Sequence, residues 1–105
     1  MDFDNLVYYI CAKQLIKVAL IFKTMRKGEF KIIISVMNAN NITYFNEISF
    51  TNRDDLRIYH VDYVSSLIRY DDYTLCGYSK SENYCVNLLY NGNCRILIIS
   101  SSFQT

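Results

Sequence analysis

Few residues of this chain could take part in chemistry. His60 is the only histidine, and no Gly-x-Ser-x-Gly elbow or glycine-rich phosphate loop is present. Nucleophilic catalysis needs an activated serine or cysteine beside a base, and the lone histidine makes such a pair improbable. We therefore expect no catalytic site, no cofactor and no small-molecule substrate. The position of His60 two residues after Ile58 predicts a structural or surface histidine on the face of a short strand.

Metal binding is also not expected. The cysteines are Cys11, Cys76, Cys85 and Cys94, and the last three are spaced nine residues apart. Zinc ligands usually come in close pairs such as Cys-x-x-Cys, so this spacing favours reduced thiols at buried strand positions. The acidic pairs at residues 54–55 and 71–72 could hold a divalent cation, but adjacent acids in polar breaks are more typical of solvated turns.

Composition describes a globular chain of 105 residues with 51% hydrophobic residues and a formal net charge of +1. Pro is absent, Gly occurs 3 times and Tyr 10 times, a bias that indicates an AT-rich genome such as that of an organelle, a parasite or a virus. The apolar stretch at residues 6–22 is interrupted by Lys13 and Lys17, so we expect no membrane span. Asp2 and Asp4 open the chain, which argues against a signal peptide.

The pattern along the chain predicts an α+β fold in two lobes. A leading helix and a β-hairpin form an amino-terminal lobe at residues 1–52, and a small mixed α/β carboxy-terminal lobe occupies residues 53–105. The expected elements are a helix at 4–27, strands at 29–37 and 42–50, a polar break at 52–55, a strand at 56–60, a helix at 61–69, a strand at 73–78, a loop at 79–82, a turn at 91–93 and a strand at 95–99. Residues 85–90 fit either a strand or a helix.

Two groups of residues suit a nucleic-acid surface, and an ordinary solvated surface is the alternative. Arg and Lys neutralise phosphates, Ser hydroxyls reach phosphate and ribose oxygens, and Tyr can stack on a base. The first group is the basic side of the helix at 4–27. The second group comprises Arg53, Arg57, Tyr59, Arg69, Tyr78, Ser79, Lys80 and Ser81.

Residues 52–59 resemble a segment of the universal small-subunit ribosomal protein eight family. That family carries Ser-Arg-Pro-Gly-x-Arg-x-Tyr at the seam between its two lobes. Arg53, Arg57 and Tyr59 match the pattern in this chain. The elements expected on either side of the segment follow the same order as in the family, so the resemblance covers residues 29–99.

The chain also departs from the family pattern. Asp54 and Asp55 replace the Pro-Gly turn, which would weaken a nearby phosphate contact. In the family's Ser-Thr-Ser-Lys-Gly loop, Ser79 and Lys80 are the matching residues, and the family's Thr-Asp-Arg helix start is missing after Ser81. The amino-terminal lobe has room for one helix where the family has two.

The resemblance implies a structural component of a small ribosomal subunit that binds ribosomal RNA and neighbouring ribosomal proteins. A shortened, AT-biased copy implies an organelle-encoded protein of the mitochondrial matrix, with the cytoplasm as the alternative location. The residues that the resemblance assigns to RNA binding are Ser79, Lys80, Tyr78, Ser81 and Arg53, and those assigned to the lobe interface are Arg57 and Tyr59.

A protein-interaction module is the rival interpretation. Residues 56–103 also resemble the end of a phosphotyrosine-binding domain, with late strands at 73–80 and 83–90 and a closing helix at 96–103. A viral accessory protein is a third possibility. Residues 95–99 distinguish the first two interpretations, because the ribosomal family has a strand there and the interaction module has a helix.

Overall fold

The computed structural model describes residues 29–38, 41–80, 84–92 and 94–101, without the side chains of residues 41, 42 and 79. These residues form one helix and one five-stranded antiparallel sheet with the strand order β2-β1-β5-β4-β3. In chain order the elements are β1 (Lys31–Asn38), β2 (Asn41–Ser49), α1 (Arg53–Tyr70), β3 (Thr74–Lys80), β4 (Tyr84–Asn91) and β5 (Cys94–Ser101).

The first two strands form the predicted hairpin. Their antiparallel register runs from Lys31 opposite Ser49 to Asn38 opposite Asn41. One irregularity follows Val36, where β2 contains an extra residue at position 43. Such a bulge increases local twist without ending the strand.

The last three strands form a meander that returns to the hairpin, because β5 pairs antiparallel with both β4 and β1. Residues 95–99 are therefore in a strand, as the ribosomal resemblance predicted. The interaction-module resemblance predicted a closing helix there, and that prediction is wrong. Residues 85–90 are also in a strand. Gly92 has a φ of 60° in the turn between β4 and β5, a backbone region in which glycine avoids a Cβ clash.

One helix replaces the predicted polar break, short strand and short helix between residues 52 and 69. Asn52 caps it by accepting a 2.9 Å hydrogen bond from the backbone N–H of Asp55. Asp54 and Asp55 lie in the first turn, where carboxylates interact favourably with the helix dipole. The apparent alternation at residues 56, 58 and 60 favoured a strand, yet Ile58 is 49% exposed in the helix. The buried positions follow helical spacing instead, and they are Leu56, His60 and Leu67.

The helix lies on one face of the sheet. Leu56 and Leu67 pack against a layer of sheet residues, namely Ile32, Ile34, Leu89, Ile96 and Ile98. Side chains alternate between the two faces of a strand, so the intervening residues point to the opposite face. Those residues are buried as well, and they include Ile33, Val86, Leu88, Leu97 and Ile99. The central strands are therefore apolar on both sides.

The predicted α+β class is confirmed by the one helix and the five-stranded sheet. The predicted helix at 4–27 lies outside the described residues, and the division at residue 52 stays a prediction. Within the described ranges, no helix is long and apolar enough to cross a membrane.

We expect the Asn52 cap to contribute to the stability of the fold. Replacing Asn52 with Ala should lower the free energy of unfolding by about 1 kcal/mol, because the substitution removes the acceptor for an N–H group at the helix start. Chemical denaturation would measure the change. The matched control is Thr51→Ala, an exposed neighbour outside the helix, which should alter stability by less than about 0.5 kcal/mol. Equal effects from both variants would contradict the capping role.

Candidate nucleic-acid interface

His60 belongs to α1 and lies on its sheet-facing side, in a buried polar network. The prediction that it lies on a strand face is wrong. Its Nδ1 atom is 2.7 Å from the Ser100 hydroxyl of β5, and its Nε2 atom is 2.6 Å from the Asn87 side-chain oxygen of β4. An amide oxygen can only accept, so Nε2 carries the proton and Nδ1 accepts from Ser100. Burial lowers the pKa of His60 from its usual value of 6.5, and the bond to Asn87 opposes this shift only in part.

The connectivity of this network resembles the hydroxyl–imidazole–amide series of some hydrolases. No pattern in the sequence indicated that Ser100 would lie beside the histidine. Ser100 is 0% exposed, however, and His60 and Asn87 are only 4% and 7% exposed. A substrate cannot reach the hydroxyl in this arrangement, so the network is suited to holding the helix against the sheet.

The network also shows which strand residues share the helix side of the sheet. Directly paired residues of antiparallel strands point to the same face. Ser100 pairs with Cys85, which pairs with Lys80 of the outer strand β3. Asn87 pairs with Tyr78 in the same way. Lys80 and Tyr78 therefore project from the helix-bearing face, and both are exposed.

Two arginines lie on the side of α1 that faces β3. Arg53 and Arg57 are one helical turn apart and therefore share a side of the helix, and both are exposed. Tyr59 lies about 200° around the helix from Arg57. It packs toward β2, because its ring centroid is 5.4 Å from that of Phe50, which directly follows this strand. The opposite side of the helix, with Arg57, is therefore directed toward β4 and β3.

We call this surface the basic flank and define it as Arg53, Arg57, Tyr78 and Lys80. It joins four of the residues identified in the sequence, although β3 includes residues 79 and 80, which were predicted to be in a loop. The exposed Asp54 lies near the two arginines, so the flank has three cations and one nearby carboxylate.

The other candidate residues are placed differently. Tyr59 is half-buried on the side of α1 that faces β2. There its ring stacks on that of Tyr63 at a centroid distance of 6.1 Å. The lobe-interface role of Tyr59 and Arg57 stays a prediction. Ser79 belongs to β3, where its backbone pairs with Val86, and Ser81 lies outside the described residues.

The three cysteines within the described residues differ in their surroundings. Cys85 is buried and Cys94 half-buried, whereas Cys76 is exposed because it is the extra residue of an irregularity in β3. The expectation of buried thiols is therefore wrong for Cys76. Cys94 accepts a 3.1 Å hydrogen bond from the Tyr73 hydroxyl, and this bond, together with burial, raises the pKa of Tyr73 to about 12.

The acidic pairs are separated along the helix. Asp54 and Asp55 are in its first turn, and Asp71 and Asp72 follow its last turn. All four are exposed, and Asp72 has a φ of 58°. In the part of the chain that the structure describes, no group of three or more His, Cys, Asp or Glu residues could hold a metal ion.

Comparison of the chain with protein-family models, with curated proteins and with solved structures gives no match. The ribosomal resemblance therefore depends on the residues quoted above and on their positions in this fold.

The buried histidine predicts a pH-dependent stability. Below pH 6.5 the unfolded chain takes up a proton at His60, while the folded chain, with its lowered pKa, does not. The free energy of unfolding should therefore fall as the pH decreases from about 6.5 toward the folded pKa, by at most about 1.4 kcal/mol per pH unit. Denaturation curves between pH 7.5 and 5 would measure this change.

His60→Gln is the variant that tests this prediction. His60 is the only histidine of the chain, so the substitution removes the one imidazole that could cause the pH dependence. It should be less stable at pH 7.5, since Ser100 and Asn87 lose a well-placed partner, and its stability should change little between pH 6.5 and 5.5. The same pH dependence in the parent and the variant would show that His60 is not its source.

Proposed function

We propose that this chain is a structural, non-catalytic RNA-binding component of a small ribosomal subunit, acting in mitochondria. The observation that supports the proposal best is the placement of Arg53, Arg57, Tyr78 and Lys80 on the basic flank. Three of these residues are cations that can neutralise phosphates, and one is an exposed tyrosine that can stack on an unpaired base.

The arrangement of the cations on the basic flank suits the backbone of a structured RNA. The cations come from the start of α1 and the end of β3, and the buried layer of β4 lies between them. A phosphate backbone crossing this surface would meet Arg57 on one side and Lys80 on the other. Backbone contacts of this kind position an RNA without reading its sequence.

The affinity of the isolated chain should be modest. Asp54 is close to the arginines, and the whole chain has a net charge of only +1. In a ribonucleoprotein particle, contacts with neighbouring ribosomal proteins would add to the RNA contacts. The proposal therefore includes two partners, the small-subunit ribosomal RNA and the neighbouring ribosomal proteins.

The architecture adds no support to the ribosomal assignment, which depends on the flank. The family's seam segment corresponds here to the first turns of α1, and β1 and β5 join residues on either side of position 52 in one sheet. A separate carboxy-terminal RNA-binding lobe at residues 53–105 remains part of the proposal. RNA binding itself requires only the positions of the side chains on the basic flank.

The RNA surface is tested by the salt dependence of binding. Arg57→Ala and Lys80→Ala should each weaken binding to a small-subunit RNA helix junction and lower the slope of log affinity against log salt by about one. Tyr78→Ala should weaken binding with little change in slope, because the ring carries no charge. Fluorescence anisotropy at several salt concentrations would measure both quantities.

Arg69→Ala is the control, because it removes the same charge from the last turn of α1, away from the basic flank. It should leave both affinity and slope nearly unchanged. The RNA proposal is wrong if the three flank variants behave like this control. The ribosomal assignment is wrong if the chain is also absent from purified small subunits.

A further inference from the structure

The other flank of α1 contains an open groove with a volume of ≈ 430 Å³. Its apolar lining comes from Phe50, Tyr59 and Tyr63, and from the exposed Ile58 at its outer side. The three rings form a continuous row, with centroid distances of 5.4 and 6.1 Å between successive rings. We call this surface the aromatic groove. Its volume falls within the range of sites that bind ligands.

Two carboxylates give the aromatic groove a negative charge. Asp55 and Asp62 both line it, and none of its described lining residues is cationic. One oxygen of Asp55 accepts a 3.0 Å hydrogen bond from the Asn52 side chain, which holds this carboxylate in place. The groove is thus unsuited to a phosphate backbone, and its rings and carboxylates favour a cation.

The spacing of the carboxylates indicates the size of the ligand. Asp55 and Asp62 are seven residues apart in the helix, which corresponds to about 10 Å along its axis. In an extended peptide with the polyproline II conformation, which has three residues per turn and rises about 3.1 Å per residue, side chains three positions apart point the same way and are separated by about 9 Å. A single small cation could meet only one of the two carboxylates.

We propose that the aromatic groove binds a basic segment of a partner protein in the extended polyproline II conformation, in which two Lys or Arg residues are three positions apart and an apolar residue lies between them. The two cations pair with Asp55 and Asp62, and one of them also lies against the ring of Tyr59 or Tyr63. The apolar residue packs on the remaining ring surface. This site does not depend on RNA binding, because it lies on the opposite flank of α1.

A labelled peptide provides the test. The probe is an eight-residue peptide with two arginines three positions apart and leucines between them, and its binding to the full chain is followed by fluorescence anisotropy. A second peptide places the arginines next to each other, and a third replaces both with glutamate. The first peptide should bind at least about threefold more tightly than the second, since exposed ion pairs each contribute modestly. The glutamate peptide should not bind.

Variants of the chain locate the site. Asp62→Asn and Tyr63→Leu should each weaken binding of the first peptide by about three- to fivefold, because one removes a charge and the other a ring. The matched control is Asp54→Asn, an exposed carboxylate of the same helix that does not line the groove. It should bind like the parent, and thermal unfolding should show that all three variants are folded.

The proposal is overturned if Asp62→Asn binds the peptide as the parent does, or if Asp54→Asn weakens binding equally. It is also overturned if the glutamate peptide binds as well as the arginine peptide, or if the parent chain self-associates through this groove and the peptide does not compete. Each of these results leaves the RNA proposal intact, because none of them concerns the basic flank.

Discussion

Strands β1 and β5 lie side by side in the sheet, and each is apolar on both of its faces. Ile32, Ile33, Ile98 and Ile99 are all 0% exposed, so this pair must be covered on both sides. Because apolar burial is the dominant stabilising contribution to folding, the pairing fixes most of the arrangement. The hairpin partner β2 is placed on one side of the pair, the meander places β4 and β3 on the other, and α1 is held over the centre.

The buried polar network then fixes the rotation of the helix. Moving α1 by one residue would turn it by about 100° and withdraw His60 from both partners. Two strand groups, Asn87 and Ser100, would be left buried without that partner, which costs about 1–3 kcal/mol for each group. Apolar contacts alone would tolerate a wider range of rotations, since they are not directional. The network therefore decides that Arg57 faces β3 and that Tyr59 faces β2.

The sequence predicted the strands better than the helix, for physical reasons. The apolar runs at residues 32–34 and 96–99, the first of them rich in β-branched isoleucine, favour buried strands. Residues 52–55 look like a turn by composition, although the same residue types also form a favourable helix start. Once that segment was interpreted as a turn, the helical relation of Tyr59 to Tyr63 could not be recognised. Neither flank could have been predicted in full, because each joins α1 to a distant part of the chain through the strand register.

A net charge near zero conceals a partial separation of charge in this fold, because Asp54 still lies beside the arginines. Arg57 and Asp62 are exposed on opposite flanks of one helix, so α1 separates a basic surface from an acidic one. A phosphate backbone in the aromatic groove would be repelled by Asp55 and Asp62, and a basic peptide on the basic flank would be repelled by the arginines. The two proposed ligands therefore cannot exchange sites. Their opposite charges would also attract each other across the helix, so an assembly containing both would be favoured over either binary complex.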